Sequence, residues 1–298
     1  MEQSELKKLL LEVEETARRA GAVIMTHYAT GSAVHAKADG SKVTDADLAA
    51  ENIILPALAA LTPHIPIVSE ERVAAGDIPD TGKGTFWTVD PLDGTHEFIN
   101  KTGAFVVAIA LVVDHKVVMG VIYHPATDLM YSGCGPGTAS KIEGNGVRTP
   151  LGKAALSTGD QRVLVNGPHA DMARVKGFLT SQFGDAVQLD VKSGIFRACQ
   201  VADGLADMAV VCSSKRAGHT FWWDVAPGHA IVEAAGGKLE TLDGNPLVYN
   251  ASDLQVPPHV VIAPHKNSSA GQKPSPPPQK VAIGRYIWLD RQPQGPES

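Results

Sequence analysis

The chain has 298 residues, a formal net charge of −6, 44% hydrophobic and 19% charged residues, an ordinary globular balance with enough length for a sizeable core in one large domain or two modest ones. The acidic balance leaves no basic stripe for a polymeric phosphate backbone, which argues against nucleic acid as a partner, while a small anionic substrate stays open if bound metal ions supply positive charge. The cysteines, Cys134, Cys199 and Cys212, are far apart, odd in number and without C-x-x-C spacing, which argues against a disulfide framework or a zinc site and fits a reducing compartment.

The N-terminus is acidic and runs straight into an amphipathic pattern, so no signal peptide is expected, and no stretch is long and apolar enough to span a bilayer. A cytoplasmic protein is the expectation, with a peripheral seat at the inner membrane face as a variant of it. Leu6, Leu9, Leu10, Val13, Ala17, Ala20 and Ile24 recur at helical spacing and predict a first helix. A second starts at Thr44 and carries Leu48, Ile53 and Leu55 until Pro56 and Pro63 interrupt it. Ile65 to Val68 reads as a strand ending at Ser69-Glu70-Glu71, and Thr85 to Val89 as a strand stopping at Asp90-Pro91. Phe105 to Val113 and Lys116 to Tyr123 predict a hairpin of buried strands around Asp114-His115. Arg162 to Val165 and Ala206 to Val211 are further strands, with a helix around Arg197 to Ala202 between them. Trp223 to Pro227 reads as a helix start, Gly236-Gly237 as its stop, and Leu242 to Pro246 as a turn. From His265 the composition changes: Asn267 to Lys280 is rich in Ser, Pro, Gln and Gly, followed by a lone apolar patch, Val281 to Leu289. The expected organisation is one domain over residues 1–265, with a soft internal boundary near residue 150, and a flexible Pro/Ser-rich tail over 266–298. Helices alternating with strands and few aromatic residues (5%) point to a layered α/β protein.

The sharpest chemical feature is Asp90-Pro91-Leu92-Asp93-Gly94-Thr95. A strand delivers Asp90, and Pro91 and Gly94 turn the chain so that both carboxylates can converge at the strand's C-terminal end. Hard divalent ions take such oxygen ligands, and magnesium takes a few carboxylates plus substrate phosphate. Gly94 lets a phosphate approach the backbone, facing the N–H groups of a following helix start. An ordinary Asp-Pro/Asp-Gly turn is the plain alternative. Glu70-Glu71 ends a strand, where a solvated pair is the plain reading. Thr44 and Asp47 have capping-box spacing, and Asp224 opens a helix, where a carboxylate complements the dipole.

Their joint order resembles the inositol monophosphatase superfamily of lithium-sensitive, magnesium-dependent phosphatases. Lys37-x-Asp39 followed by Val43-Thr44-x-x-Asp47 resembles that family's early motif, and Ser69-Glu70-Glu71, Asp90 to Thr95 and Trp223-Asp224 its metal-binding motifs. Within the superfamily, Thr62-Pro63, Glu97-Phe98 and Trp223 to Ala230 resemble the 3'(2'),5'-bisphosphate nucleotidases of the CysQ type. Two departures stand out: His96 in place of a usual lysine, and Ser193-Gly194-Ile195 with Arg197 in place of a Gly-Ser-Ser run and a lysine.

The resemblance implies a layered α-β-α-β-α sandwich over residues 5–263. It implies two or three magnesium ions, held by Glu70, Asp90, the carbonyl of Leu92, Asp93 and Asp224. Thr95, hydrogen-bonded to Asp47, would orient and deprotonate the attacking water, with Glu70 contributing to catalysis. Gly94, Thr95, His96, Arg197 and Asp224 would contact the substrate. The implied reaction converts 3'-phosphoadenosine 5'-phosphate to AMP and phosphate, as in sulfur assimilation. Two rivals are an inositol or other sugar monophosphate as substrate, and a non-catalytic phosphate- or nucleotide-binding protein, which phosphate release with and without magnesium separates.

Overall fold

The computed structural model describes residues 2–38, 40–152, 161–165, 172–183, 187–191, 194, 196–212 and 220–264. The expectations for Asp39, Ser193, Ile195, the segment 266–298 and its apolar stretch Val281 to Leu289 lie outside the described residues.

Helix α1 (Gln3–Thr30) buries Leu6, Leu10, Val13, Ala17, Ala20 and Ile24, the stripe its periodicity predicts. A hairpin of β1 (Val34–Ala36) and β2 (Lys42–Thr44), which local pattern did not signal, leads into α2 (Asp45–Leu61). Thr44 caps α2: its Oγ1 accepts from the Ala46 N–H, and Asp47 accepts from the Thr44 N–H. Contrary to expectation, α2 continues through Pro56. Pro56 and Asn52, whose carbonyl would have paired with the missing N–H, are both exposed, so water can serve that carbonyl. The stripe also differs from the predicted one: Ala46, Ala50, Ile54 and Leu58 are buried, whereas Leu48 is exposed. Small Ala46 and Ala50 let α2 pack closely.

Strand β3 (Ile67–Ser69) runs into a short helix α3 (Glu70–Ala74), so Glu70 and Glu71 open a helix. Strand β4 (Phe86–Asp93) continues past its expected end at Asp90-Pro91. It pairs with β3 only as far as Ser69↔Val89, and its register against the next strand shifts between Asp90 and Asp93. An irregular strand end without a neighbour on one flank accepts a proline. After α4 (Thr95–Ile99), β5 (Val106–Val113) and β6 (Lys116–His124) form the predicted hairpin, with Asp114 and His115 both at positive φ. Strands β7 (Leu129–Gly133), β8 (Ser140–Ile142) and β9 (Arg148–Pro150) complete a sheet ordered β3-β4-β5-β6-β7-β8-β9.

The remaining elements are β10 (Gln161–Val165), α5 (Met172–Phe183), β11 (Val187–Val191), α6 (Phe196–Ala202), β12 (Met208–Cys212), α7 (Ala226–Ala234), β13 (Gly237–Thr241) and β14 (His259–Pro264). Their strands form a second sheet ordered β11-β10-β12-β14-β13. Alternation along β5 fixes the layering. Val107, Ile109 and Leu111 join the core under α1 and α2, while Val106, Ala108, Ala110 and Val112 face the core shared with α6, α7 and the second sheet. Val163, Met208 and Val210 on the far face of that sheet pack with Val175 and Leu179 of α5. The order is helix, sheet, helix, sheet, helix, the layered sandwich expected. Helix α7 lies tightly on the first sheet: a Cβ at Gly120 would collide with the Pro227 carbonyl and the Ala230 Cβ. Among the described residues no helix is long and apolar enough to cross a membrane.

Candidate active site

The irregular end of β4 puts Asp90, Leu92 and Asp93 at the head of α4. Asp90 is 2% exposed, and its Oδ1 accepts the Leu92 N–H at 2.9 Å. Gly94 is the N-cap of α4 at φ 97°, and a Cβ there would lie 2.7 Å from the Ala104 carbonyl oxygen. Only glycine combines that backbone with so close an approach. Asp90, Asp93 and Asp224 each offer a carboxylate oxygen, all within 4.8 Å of one another. Asp224 arrives from the 3-10 turn Trp222–Asp224, just before α7 rather than in its first turn as expected, and its Oδ2 accepts the Phe221 N–H at 2.7 Å.

Asp47 and Thr95 meet as expected: the Thr95 hydroxyl lies 3.0 Å from Asp47 Oδ1 and 3.3 Å from the Leu92 carbonyl. Glu70 is in contact with Asp90 and is held from the other side by Lys37, whose Nζ donates to Glu70 Oε1 at 2.7 Å and Glu71 Oε1 at 2.8 Å. The Lys37 side chain is 7% exposed. Lys37 falls within the early motif, but its sequence neighbours do not announce this pairing, because the two glutamates lie 33 and 34 residues away.

The electrostatics are those of crowded like charges. Burial, then Glu70, Asp93 and Asp224, pushes Asp90 well above the usual carboxylate range. Burial and Asp93 raise Asp224, against the pull of the Phe221 N–H and Arg197. Burial raises Asp47 although Thr44 and Thr95 donate to it. Burial also outweighs Lys37 at Glu71, which is pushed up to about 7. At Lys37 burial opposes the charge, but Glu70 and Glu71 prevail and hold it protonated. Arg197 is 7% exposed. Burial lowers its pKa to about 10, while Asp93, Cys212 and Asp224 favour its charge. It lines a cavity with Gly194 and Asp224, and a Cβ at Gly194 would lie 3.6 Å from Asp93 Oδ2. His96 is 77% exposed, its ring near Asn100 and 3.9 Å from Glu97.

Oxygen-only donors converging from separate segments and repelling one another, with Asp90 buried among them, fit a hard divalent cation better than a soft or imidazole-preferring metal. Beside them stands a hydroxyl whose proton is directed at a buried carboxylate, an arrangement able to orient a water molecule.

The family described as the inositol monophosphatase family matches residues 5–273. The chain is 39% identical over 243 residues to the 3'(2'),5'-bisphosphate nucleotidase CysQ of Escherichia coli O157:H7, spanning 81% of this chain and 94% of that protein. It is 38% identical over 243 residues to the protein of the same name from Escherichia coli strain K12, with the same 81% and 94%. The crystal structure of CysQ from Bacteroides thetaiotaomicron matches with a TM-score of 0.68 at 28% identity, covering 87% of this chain and 98% of that one.

Proposed function

The chain belongs to the inositol monophosphatase family, and from that premise we propose that it is a 3'(2'),5'-bisphosphate nucleotidase that hydrolyses 3'-phosphoadenosine 5'-phosphate to AMP and phosphate. The observation that carries the reading is the Thr95–Asp47 pair beside the carboxylates of Asp90, Asp93 and Asp224. Glu70, Asp90, the Leu92 carbonyl, Asp93 and Asp224 would hold magnesium, two or three ions in all. When bound, such ions neutralise phosphate oxygens and lower the pKa of the attacking water.

The chain's own residues supply orientation and proton transfer. Thr95 donates its proton to Asp47, which leaves its oxygen lone pairs to accept from water. Burial makes Asp47 a stronger base, suited to take the proton that the water passes through the Thr95 hydroxyl. Gly94 lets a phosphate oxygen reach the backbone N–H groups at the start of α4. Arg197 and Asp224 line the substrate side, with His96 at the exposed rim.

Residues 1–265 form the catalytic domain in this reading, with an internal boundary near residue 150 and the tail 266–298 appended to it. We place the protein in the cytoplasm; nothing in the described residues supports a seat at the membrane face. The test is kcat/KM for 3'-phosphoadenosine 5'-phosphate and inositol 1-phosphate at fixed magnesium. Preference for the nucleotide is expected. Preference for inositol 1-phosphate overturns the substrate and leaves the phosphatase standing, and binding without phosphate release overturns the enzyme.

A further inference from the structure

Asp90 and Asp224 reach the site on segments far apart in sequence, and in the absence of an ion their carboxylates repel. Something other than the carboxylates must set their spacing. Phe86 lies on β4 four residues before Asp90, and Trp222 lies in the same 3-10 turn as Asp224. Their rings stack at a centroid distance of 4.8 Å and an interplanar angle of 22°. Phe86 is 0% exposed and Trp222 is 2% exposed. The turn is clamped from two more directions. The Trp222 N–H donates to the Leu254 carbonyl at 2.9 Å, and the Tyr249 ring meets the indole edge-on at 6.3 Å. Tyr249 is pinned in turn: its hydroxyl lies 2.9 Å from His229 Nδ1 on α7, and its carbonyl lies 3.0 Å from His115 Nδ1 in the β5–β6 turn.

We propose that the stacked pair Phe86–Trp222 is a positioning element of the site: it sets how closely the turn Trp222–Asp224 approaches β4, and with it the Asp90–Asp224 separation and the size of divalent ion the site prefers. The inference rests on the reading that these carboxylates hold a divalent ion. Two planar rings in offset contact resist both closer approach and lateral sliding, a constraint that an apolar side chain of similar bulk and greater flexibility does not impose. Selectivity between magnesium and calcium depends on cavity size and rigidity, because magnesium demands short, near-ideal distances and calcium tolerates longer ones.

Ordinary core packing predicts lost stability on substitution and nothing more, so the test reads metal binding. Manganese(II) binding to the full chain is followed by electron paramagnetic resonance, with magnesium and calcium as competitors. The wild type is compared with Trp222→Phe, Trp222→Met, Phe86→Met and the double methionine variant, each first shown to unfold cooperatively. Trp222→Phe keeps the stack and removes no hydrogen bond of Nε1, which has no partner among the described residues. It should bind manganese within about twofold of wild type, whereas each methionine variant should bind about tenfold more weakly, in the range seen when the support of metal ligands is disturbed. The methionine variants should also shift the preference from magnesium towards calcium. The double variant should be no weaker than either single one, since one contact is lost in all three. Folded methionine variants with wild-type manganese affinity and wild-type competition overturn the proposal, as does additivity of the two substitutions. If Trp222→Met does not fold, Phe86→Met alone decides. Failure of the wild type to bind manganese overturns the underlying metal reading instead.

Discussion

The Thr95 hydroxyl donates to Asp47 Oδ1 at 3.0 Å, while Asp47 Oδ2 takes the Thr44 N–H at 2.8 Å and the Thr44 hydroxyl at 2.6 Å. The cap of α2 thus fixes the carboxylate that orients a hydroxyl beside the acidic cluster. The three bonds together hold the Asp47 carboxylate in place, and the one from Thr95 turns the threonine's lone pairs away from it. Thr95→Ala and Asp47→Asn should each lower kcat by about 10²–10⁴-fold, the usual worth of a positioned base. The double variant should fall no further, because the two residues act as a unit. Steady-state kinetics at saturating magnesium check this, and Thr95→Ser should retain most activity. Additive losses would contradict the shared role.

Lys37 joins Glu71 in a buried contact and Glu70 in a partly exposed one. Lys37→Met should leave two facing carboxylates without their cation. In metal-free buffer the loss of stability should be about 3 kcal/mol, at the low end for breaking a buried pair because Glu70 is 27% exposed. Magnesium should narrow the gap, since an ion at Glu70 restores positive charge. Thermal melts with chelator and with magnesium measure both quantities, and a melting temperature unchanged in chelator would contradict the pairing.

His124 gives a pH dependence of definite sign. Burial lowers its pKa below 6.5; its ring lies between Phe105 and Phe196, and the Thr127 hydroxyl is 2.8 Å from Nδ1. The folded chain then holds fewer protons at this residue than the unfolded chain. Its contribution to stability is complete above pH 6.5 and is lost as pH falls from there through the lower folded-state value. His124→Gln should therefore lose less melting temperature than wild type between pH 7.5 and pH 5. Parallel profiles would refute this.

Much of the site was legible because its residues lie in short local motifs. Asp90 to Thr95 is a strand, a turn and a helix start within a few residues, and Thr44 with Asp47 is a capping box, so local spacing carries the geometry. The buried β5–β6 hairpin was legible for the same reason. Less visible was whatever depends on a distant partner. Nothing near Lys37 announces that it will be buried against Glu70 and Glu71, and nothing near Phe86 announces a ring from residue 222. Pro56 and Pro91 misled in opposite settings: one sits on an exposed helix face, the other at a strand end with an open flank, and both places tolerate the missing N–H. Strands β1, β2, β8 and β9 are three residues long like β3, but they lack an apolar run such as Ile65 to Val68, which marks β3 in the sequence.

The most direct test of the account is phosphate release from 3'-phosphoadenosine 5'-phosphate at saturating magnesium by wild type and Asp90→Asn. Asp90 is buried at the centre of the cluster, touching Glu70 and within reach of Asp93 and Asp224. The amide keeps its shape, removes one of the repelling charges and so should preserve the fold. It also removes one anionic oxygen from the set that would hold the ions. The account predicts a wild type that releases phosphate only with a divalent ion present, and an Asp90→Asn protein that is folded and loses at least about 10³-fold in turnover, as expected when metal-assisted charge stabilisation worth several kcal/mol is removed. A folded Asp90→Asn variant with near-normal turnover, or wild-type hydrolysis indifferent to chelator, would contradict it.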